Sequence, residues 1–284
     1  MAQKRVGLIG YPIKKSLSPV MHNAAFKALG MDDEWLYDAM EIPPDIVRYA
    51  VLEPKRHGYI GLNVTIPFKE TALEFVIPDD KARAIGAANT IDFRTDIATN
   101  TDVDGLLGDL EAHDVPIAGE KVIVLGAGGA ARAAVYGLRL QGAEVVVVNR
   151  TMQRAYDMLF QLTASSGIRD VKVMTLHEAS EIGASLIINC TSAGMYFDAG
   201  SSAWSDDVLI PENITAYDMV YNPAKTKFMQ DVEAVGGRAI GGLGMLVRQG
   251  AAAFKIWTGV EPPLDVMFNA AKEALIQNNR ELNT

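Results

Sequence analysis

Short apolar runs alternate with longer amphipathic stretches over the first third of the chain. The runs cover residues 5–9, 35–40, 59–64 and 88–93. Helical patterns lie between them, the first beginning near Ser18 and Pro19 and the second near Pro44. Proline just inside a helix that follows a serine is a common start signal, so we expect Ser18 to cap the first helix. Alternating strands and helices predict an α/β layer on a largely parallel sheet.

A second series of strands follows in the middle of the chain. Its apolar runs cover residues 122–125, 144–148, 171–174, 186–189 and 216–219, and two helical patterns close the sequence at 243–257 and 263–278. These last helices have no strands of their own, so we expect them to pack back on the first domain. The predicted fold is therefore α/β with two domains: a discontinuous substrate domain of residues 1–103 and 242–284, and a Rossmann-type doubly wound domain of residues 104–241.

A glycine-rich turn lies where the second series begins. The apolar run at 122–125 ends in Gly126, Ala127, Gly128, Gly129, Ala130 and Ala131, a Gly-x-Gly-x-x-Ala pattern. A strand, this turn and a helix form the pattern of a dinucleotide-binding βαβ unit. Its glycines let the backbone approach a pyrophosphate, and the helix start offers N–H groups to that anion. A plain turn is the alternative, and the context favours a cofactor site.

The end of the next strand predicts which dinucleotide is bound. An acid there would hold the ribose 2′-hydroxyl of NAD, whereas an arginine accommodates the 2′-phosphate of NADP. This chain has Asn149, Arg150 and Thr151 at that point, with Arg154 one helical turn further on and no acid. Arginine in a first helical turn is mildly disfavoured by the helix dipole, which favours a phosphate partner. We expect NADP.

Composition excludes several other classes of function. The net charge of -9 argues against a nucleic-acid partner, and no apolar run approaches the length that spans a membrane. Cys190 is the only cysteine, which indicates a reducing, cytoplasmic compartment, and the N-terminus does not resemble a signal peptide. The four histidines, His22, His57, His113 and His177, lack metal-ligand spacing. We expect no metal, no membrane and structural histidines.

Polar segments follow several of the predicted strands in the first domain. Lys69 falls in the predicted opening turn of a helix after Pro67, where the dipole repels a cation, and residues that break a local rule concentrate at functional sites. For Asp102, helix capping and catalytic partnership are about equally supported. Ser16 stands outside any predicted cap position and is therefore freer than Ser18 to bind a ligand.

Ordered blocks along nearly the whole chain resemble the shikimate dehydrogenase family. The first half carries residues 10–23 (GYPIKKSLSPVMHN), 61–69 (GLNVTIPFK), 86–90 (GAANT) and 100–102 (NTD). The second half carries residues 126–131 (GAGGAA), 149–151 (NRT), 189–195 (NCTSAGM), 221–223 (YNP) and 242–249 (GLGMLVRQ). The resemblance implies NADP-dependent reduction of 3-dehydroshikimate to shikimate in aromatic amino-acid biosynthesis.

The resemblance also implies roles for individual residues. Lys69 and Asp102 match the catalytic pair, with Lys69 transferring the proton and Asp102 orienting it. Ser16 and Ser18 are expected to bind the substrate carboxylate, and the ring is expected to be surrounded by Asn63, Thr65, Asn89, Tyr221 and Gln249. At the cofactor, Met219 and Gly242 are expected at the nicotinamide, and Asp80 matches a position sometimes assigned to cofactor contact.

Two alternatives stay open. A quinate/shikimate dehydrogenase using NAD or NADP would need a pocket that tolerates one further hydroxyl near Ser16 or Ser18, and the presence of both serines favours shikimate. A non-catalytic homologue that senses shikimate-like metabolites is disfavoured by the presence of both Lys69 and Asp102. The expected partner is a small-molecule substrate, and the expected state is a monomer or a homodimer.

Overall fold

The computed structural model describes residues 3–282, and side chains up to residue 278. The chain forms two compact units, one of Met1–Gly105 with Leu246–Thr284 and one of Leu106–Met245. The first unit is discontinuous, and its boundaries lie two and four residues beyond those expected from the sequence. Among the described residues, no helix is long and apolar enough to cross a membrane.

The first unit contains a six-stranded sheet. Its strands are β1 (Lys4–Gly10), β2 (Trp35–Glu41), β3 (Tyr59–Val64), β4 (Ile77–Pro78), β5 (Thr90–Asp92) and β6 (Ile97–Thr99). The order across the sheet is β2-β1-β3-β5-β6-β4. β1 is parallel to β2 and β3, whereas β5 is antiparallel to both β3 and β6. The expectation of a largely parallel sheet therefore holds only in part, because a tight connection joins β5 to β6.

The helices of the first unit are α1 (Ser18–Ala28), α2 (Val47–Arg56), α3 (Asp80–Ile85) and the beginning of α4 (Asp102–Ala112). Short 3₁₀ turns cover Pro44–Ile46 and Thr71–Glu74. The C-terminal helices are α9 (Leu243–Thr258), most of which belongs to this unit, and α10 (Leu264–Leu282), which packs on α1.

A tryptophan of α9 is seated directly on the first sheet. The Trp257 indole N–H donates to the carbonyl of Ile91 at 3.0 Å, and the indole lies where a Cβ on Gly61 would clash, since that atom would be only 2.1 Å from Nε1. Glycine at position 61 is therefore required by this close approach. The indole extends an aromatic cluster in which His22 stacks on Tyr37 with ring centroids 4.2 Å apart.

The second unit contains a fully parallel six-stranded sheet. Its strands are β7 (Lys121–Leu125), β8 (Glu144–Val148), β9 (Lys172–Val173), β10 (Leu186–Asn189), β11 (Thr215–Asp218) and β12 (Arg238–Gly241). The order β12-β11-β10-β7-β8-β9 is that of a Rossmann fold, with its switch point between β7 and β10. In such sheets, ligands bind at the carboxyl ends of the strands beside the switch point.

Helices and two apolar cores cover the second sheet. The helices are α5 (Gly129–Leu140), α6 (Met152–Ser166), α7 (Leu176–Ser180) and α8 (Lys227–Ala234). Because strand side chains alternate between faces, Val122 and Val124 enter one core and Ile123 and Leu125 the other. Both faces being buried explains why the strands read as continuous apolar runs.

Candidate active site and cofactor site

Lys69 lies in a turn and not in a helix. Residues 66–70 form turns after β3, and the next element is the four-residue 3₁₀ turn Thr71–Glu74. The expectation that Lys69 opens a helix against its dipole is therefore wrong. Phe68 is buried between Thr65 and Ala72, donating its backbone N–H to the Thr65 carbonyl and accepting from the Ala72 N–H. This anchoring fixes the turn that presents Lys69.

Lys69 forms an ion pair with Asp102. Its Nζ lies 2.5 Å from Oδ2 of Asp102, and the two side chains are 14% and 3% exposed, respectively. A charge-assisted hydrogen bond in a largely buried setting is stronger and better oriented than a pair on the surface. The small exposed fraction of Lys69 leaves its ammonium group a route to solvent. The pair thus has the geometry of a group that can exchange a proton with a ligand.

Asp102 is the first residue of α4, and its carboxylate is used by side chains. Its backbone N–H donates to Oδ1 of Asn100 at 3.0 Å, and its two carboxylate oxygens accept from Lys69 and from Nδ2 of Asn89. The alternatives left open by the sequence were helix capping and partnership with Lys69. The contacts favour partnership, with Asn100 holding the backbone of the helix start.

Asn89 is the centre of the polar network in the first unit. Its Nδ2 lies within 3.1 Å of three acceptors: Thr101 Oγ1 and Asp102 Oδ1, both at 2.9 Å, and Gln249 Oε1 at 3.1 Å. Its Oδ1 accepts from the backbone N–H of Thr101 at 2.8 Å. Asn89 is 2% exposed, so these internal partners determine its orientation.

Asn63 and Thr65 lie at the end of β3, next to this network. Nδ2 of Asn63 donates to the Asn89 carbonyl and to Thr90 Oγ1, both at 3.1 Å. Its Oδ1 accepts from the Tyr37 hydroxyl at 2.8 Å. Thr65 is partly exposed, and its backbone N–H pairs with the carbonyl of Ile9. Sequence reasoning missed Tyr37, because an aromatic residue inside a strand gives no signal beyond core packing.

The structure corrects the expected cap of α1. Leu17 is the N-cap, no side chain caps the helix, and Ser18 is its first residue, buried at 4% exposure. Because the helix starts one residue earlier than expected, its capping position falls on an apolar side chain. Ser16 is partly exposed, and its Oγ accepts weakly from the Ser18 N–H at 3.3 Å. The two serines are therefore adjacent in space.

The remaining ring and cofactor candidates are spread over both units. Gln249 is in α9, where its Nε2 donates to the Leu246 carbonyl at 2.8 Å. Tyr221 belongs to the second unit and is partly buried. Asp80 lies in the first turn of α3, where its fully exposed carboxylate pairs with Arg83 at 2.9 Å. That pairing accounts for Asp80 without a ligand.

The glycine turn in the second unit fits a pyrophosphate. Gly126 has φ +114°, and a Cβ there would lie 3.1 Å from Thr191 Cγ2, so only glycine is comfortable. Gly128 is the N-cap of α5 and supplies no side-chain acceptor, so the first N–H groups of that helix are available to an anion. Gly126 follows β7 and Thr191 follows β10. The turn therefore lies at the switch point, where a dinucleotide is expected.

The basic residues after β8 fit a phosphate on the ribose. Arg150 and Arg154 are both exposed, and within the described residues neither has an acidic partner within 4.0 Å. Asn149 donates to the Thr151 carbonyl at 2.8 Å, which folds residues 149–151 into the start of α6. Both guanidinium groups are therefore available to a phosphate, which they can bind through charge-assisted hydrogen bonds.

Met219 and Gly242 lie side by side at the ends of β11 and β12. A Cβ on Gly242 would be 2.4 Å from the Met219 carbonyl oxygen, so the two backbones are in close contact. The Met219 N–H donates to the carbonyl of Asn189, which ties this edge to the end of β10 at 3.1 Å. The second unit thus brings the glycine turn, the loop after β10 and Met219 to one edge of its sheet.

Comparison with known proteins agrees along the whole chain. Residues 8–91 match the shikimate dehydrogenase substrate binding domain, residues 107–199 the shikimate/quinate 5-dehydrogenase domain, and residues 242–272 the shikimate 5′-dehydrogenase C-terminal domain. The shikimate dehydrogenase (NADP(+)) of Methanocella arvoryzae is 42% identical over 274 residues, covering 95% of this chain and 98% of the relative.

Solved structures give the same result. A crystal structure of shikimate dehydrogenase in complex with NADP+ has TM-score 0.86 at 35% identity and covers 96% of both chains. The shikimate 5-dehydrogenase of Thermus thermophilus, in complex with NADP(H) and shikimate, has TM-score 0.83 at 36% identity and covers 96% of this chain and 100% of that one. This chain belongs to the shikimate dehydrogenase family.

Proposed function

We propose that this chain is an NADP-dependent shikimate dehydrogenase that reversibly reduces 3-dehydroshikimate to shikimate in aromatic amino-acid biosynthesis. The observation that carries the proposal is the Lys69–Asp102 pair, 2.5 Å long and largely buried, held by Asn89 among neutral polar side chains. Family membership and the NADP(+)-dependent relative support it. The first unit is then the substrate domain and the second the cofactor domain.

The second unit carries the residues for NADP. The turn of residues 126–130 and the start of α5 hold the pyrophosphate, while Asn149, Arg150, Thr151 and Arg154 receive the ribose and its 2′-phosphate. Met219 and Gly242 lie at the nicotinamide, and Asp80 has a more distant cofactor contact. When bound, NADPH supplies the hydride for the reduction.

Lys69 supplies the proton. In the direction of reduction, its ammonium group donates a proton to the substrate oxygen that changes from carbonyl to hydroxyl, and in oxidation its neutral amine takes that proton back. Asp102 accepts a hydrogen bond from Lys69, which holds Nζ in place and stabilises the charged form. Because Lys69 is 14% exposed, it can recover its proton from solvent between turnovers.

Substrate binding uses mainly neutral polar groups. Ser16 and Ser18 donate their hydroxyls to the carboxylate. The ring and its hydroxyls are surrounded by a larger set that consists of Asn63, Thr65, Asn89, Tyr221 and Gln249. Amide and hydroxyl groups that already have internal partners are well suited to this task, because their orientation is fixed before the ligand arrives.

The chain has no second cysteine to pair with Cys190, which supports a cytoplasmic enzyme. We propose a monomer or a homodimer, a choice that light scattering during size-exclusion chromatography decides.

An activity matrix of two substrates and two cofactors tests the proposed function. Shikimate and quinate are each offered with NADP+ and NAD+, and the absorbance of the reduced nicotinamide is followed. We expect the highest kcat/KM for shikimate with NADP+. Preference for quinate or NAD+ would instead support a quinate/shikimate dehydrogenase. Binding of shikimate without turnover in any combination would identify a non-catalytic homologue and reject the proposal.

A further inference from the structure

Asp218 is a fully buried carboxylate at the carboxyl end of β11, and it has no part in the proton transfer proposed above. Its side chain is inaccessible to solvent and accepts three hydrogen bonds. They come from Nδ2 of Asn189 at 2.8 Å, from Oγ1 of Thr226 at 2.6 Å and from the backbone N–H of Val220 at 3.0 Å. These donors belong to the end of β10, the N-cap of α8 and the loop after β11. One carboxylate therefore joins three segments of the second unit.

All three neighbours can only serve as donors in this arrangement. Oδ1 of Asn189 accepts from the N–H and the hydroxyl of Thr191, so its amide nitrogen must face Asp218. Oγ1 of Thr226 accepts from the Met229 N–H as the cap of α8, so its hydroxyl hydrogen points to Asp218. The matching partner for three donors is an ionised carboxylate, which accepts and cannot donate.

The network reaches the glycine turn through Thr191. Asn189 holds both polar groups of Thr191, and Oγ1 of Thr191 in turn accepts from the Ala193 N–H at 3.1 Å. The methyl group of Thr191 lies 3.1 Å from the position of a Cβ on Gly126, so it forms the wall against which the turn packs. On the other side, the Asn189 carbonyl accepts from the N–H of Met219.

We propose that Asp218 is a positioning residue for the cofactor. Its carboxylate holds the loop of residues 189–193 and the Met219–Val220 backbone in the arrangement that receives NADP. This inference rests on the proposed function, since it assumes that the second unit binds a dinucleotide. Asp218 acts through Asn189 and Val220 and makes no contact with substrate or cofactor itself.

The surroundings of Asp218 make the network sensitive to pH. Burial raises the pKa of its carboxyl to about 6, against the opposing effect of its three hydrogen bonds. The groups that face it are neutral: Asn189 from β10, Gly241 from β12 and Thr226 from α8. Within the described residues, no lysine, arginine or histidine forms an ion pair with it. A protonated carboxyl would have to donate where its neighbours donate too, so the arrangement weakens as pH falls through about 6.

Direct binding of NADP+ in the absence of substrate provides the test. In isothermal titration at about pH 8, Asp218→Asn is expected to raise the Kd for NADP+ about fivefold to tenfold, the loss of one hydrogen bond to a charged group. Shikimate affinity is expected to stay within about twofold of the wild-type value, because the perturbed segments bind no substrate. Val232→Ala in α8 is the matched control, since it removes buried apolar contacts without touching the network. It should lower Tm and leave the Kd unchanged.

A second pair of variants keeps the test decisive if Asp218→Asn fails to fold. Thr226→Val removes the hydroxyl donor and is expected to weaken NADP+ binding, whereas Thr226→Ser keeps the donor and should bind as the wild type does. Unchanged NADP+ affinity in a folded Asp218→Asn or Thr226→Val variant would overturn the inference. Wild-type protein that binds no NADP+ would instead overturn the proposed function.

The pH profile supplies an independent readout. The 2′-phosphate of NADP+ itself titrates at about pH 6, so both proteins should bind less tightly in acid. Wild-type Kd is expected to rise more steeply than that of Asp218→Asn between about pH 7 and about pH 5, because only the wild type loses a carboxylate as well. Parallel profiles would count against a positioning role for the ionised group.

Discussion

Replacement of Lys69 separates proton transfer from charge pairing. Lys69→Ala removes a general acid, and such groups contribute about a hundredfold to ten-thousandfold in rate, which corresponds to ~3–5 kcal/mol of activation free energy. We expect kcat to fall by that factor and KM for shikimate to change much less, the pattern of an interaction made mainly in the transition state.

The same substitution has a calculable effect on stability. Asp102 is left 3% exposed without its cation, but it keeps the hydrogen bond from Asn89 and its place at the start of α4, where the helix dipole favours an acid. We therefore expect a loss of about 1–3 kcal/mol in the free energy of unfolding, measured by chemical denaturation.

Lys69→Arg is the decisive control. A guanidinium group preserves the charge and the partner of Asp102, yet it does not release its proton in proteins. It should therefore restore much of the stability and almost none of the kcat. Near-full kcat in Lys69→Arg would refute the assignment of Lys69 as the proton donor and leave it an electrostatic role. Asp102→Asn, combined with Lys69→Ala, should be little worse than the more damaged single variant, because the two residues act as a unit.

Three further predictions concern other parts of the chain. Arg150→Ala should weaken NADP+ binding at least about tenfold and leave NAD+ binding nearly unchanged, since one charge-assisted hydrogen bond to phosphate is worth about 1.5–3 kcal/mol; equal losses for both cofactors in fluorescence titrations would contradict the assignment. Ser16→Ala with Ser18→Ala should raise KM for shikimate and spare KM for NADP+, and the change in Tm should be small because neither side chain caps α1; an unaltered shikimate KM would end this role. Burial lowers the pKa of His22 from 6.5 to about 3, so the stability that its neutral form contributes is complete above pH 6.5 and is lost as pH falls toward 3. By about pH 5, the wild type should have lost about 2 kcal/mol through this residue, and His22→Phe, which keeps the stacking on Tyr37, should not show this loss in acid denaturation curves.

Much of the second unit could be predicted because its signals are local. The apolar runs of β7, β8 and β10 are buried on both faces, and the glycines at 126 and 128 serve a turn whose geometry the residue types themselves require. Strand order followed from the general topology of dinucleotide-binding domains.

The first unit was harder to predict because the deciding contacts are distant in sequence. The direction of β5 depends on its pairing with β3, and the run at 88–93 does not encode that direction. Lys69 breaks no helix rule, since its environment is set by Asp102, 33 residues away. Ser18 resembled a cap because a proline follows it, yet the buried Leu17 occupies that position. Asp218 had the same signal as the other site residues, a polar side chain that closes an apolar strand.

The amide of Asn89 has fewer hydrogens than the acceptors around it can use. Its two N–H bonds face Thr101, Asp102 and Gln249, all within 3.1 Å, so one acceptor is always left over. The longest contact is the one to Oε1 of Gln249, and that oxygen can turn to an incoming hydroxyl without breaking a bond that the network needs. An arriving ring hydroxyl therefore fills a deficit already present in the empty protein, and the cost of desolvating Gln249 is offset before any other contact forms.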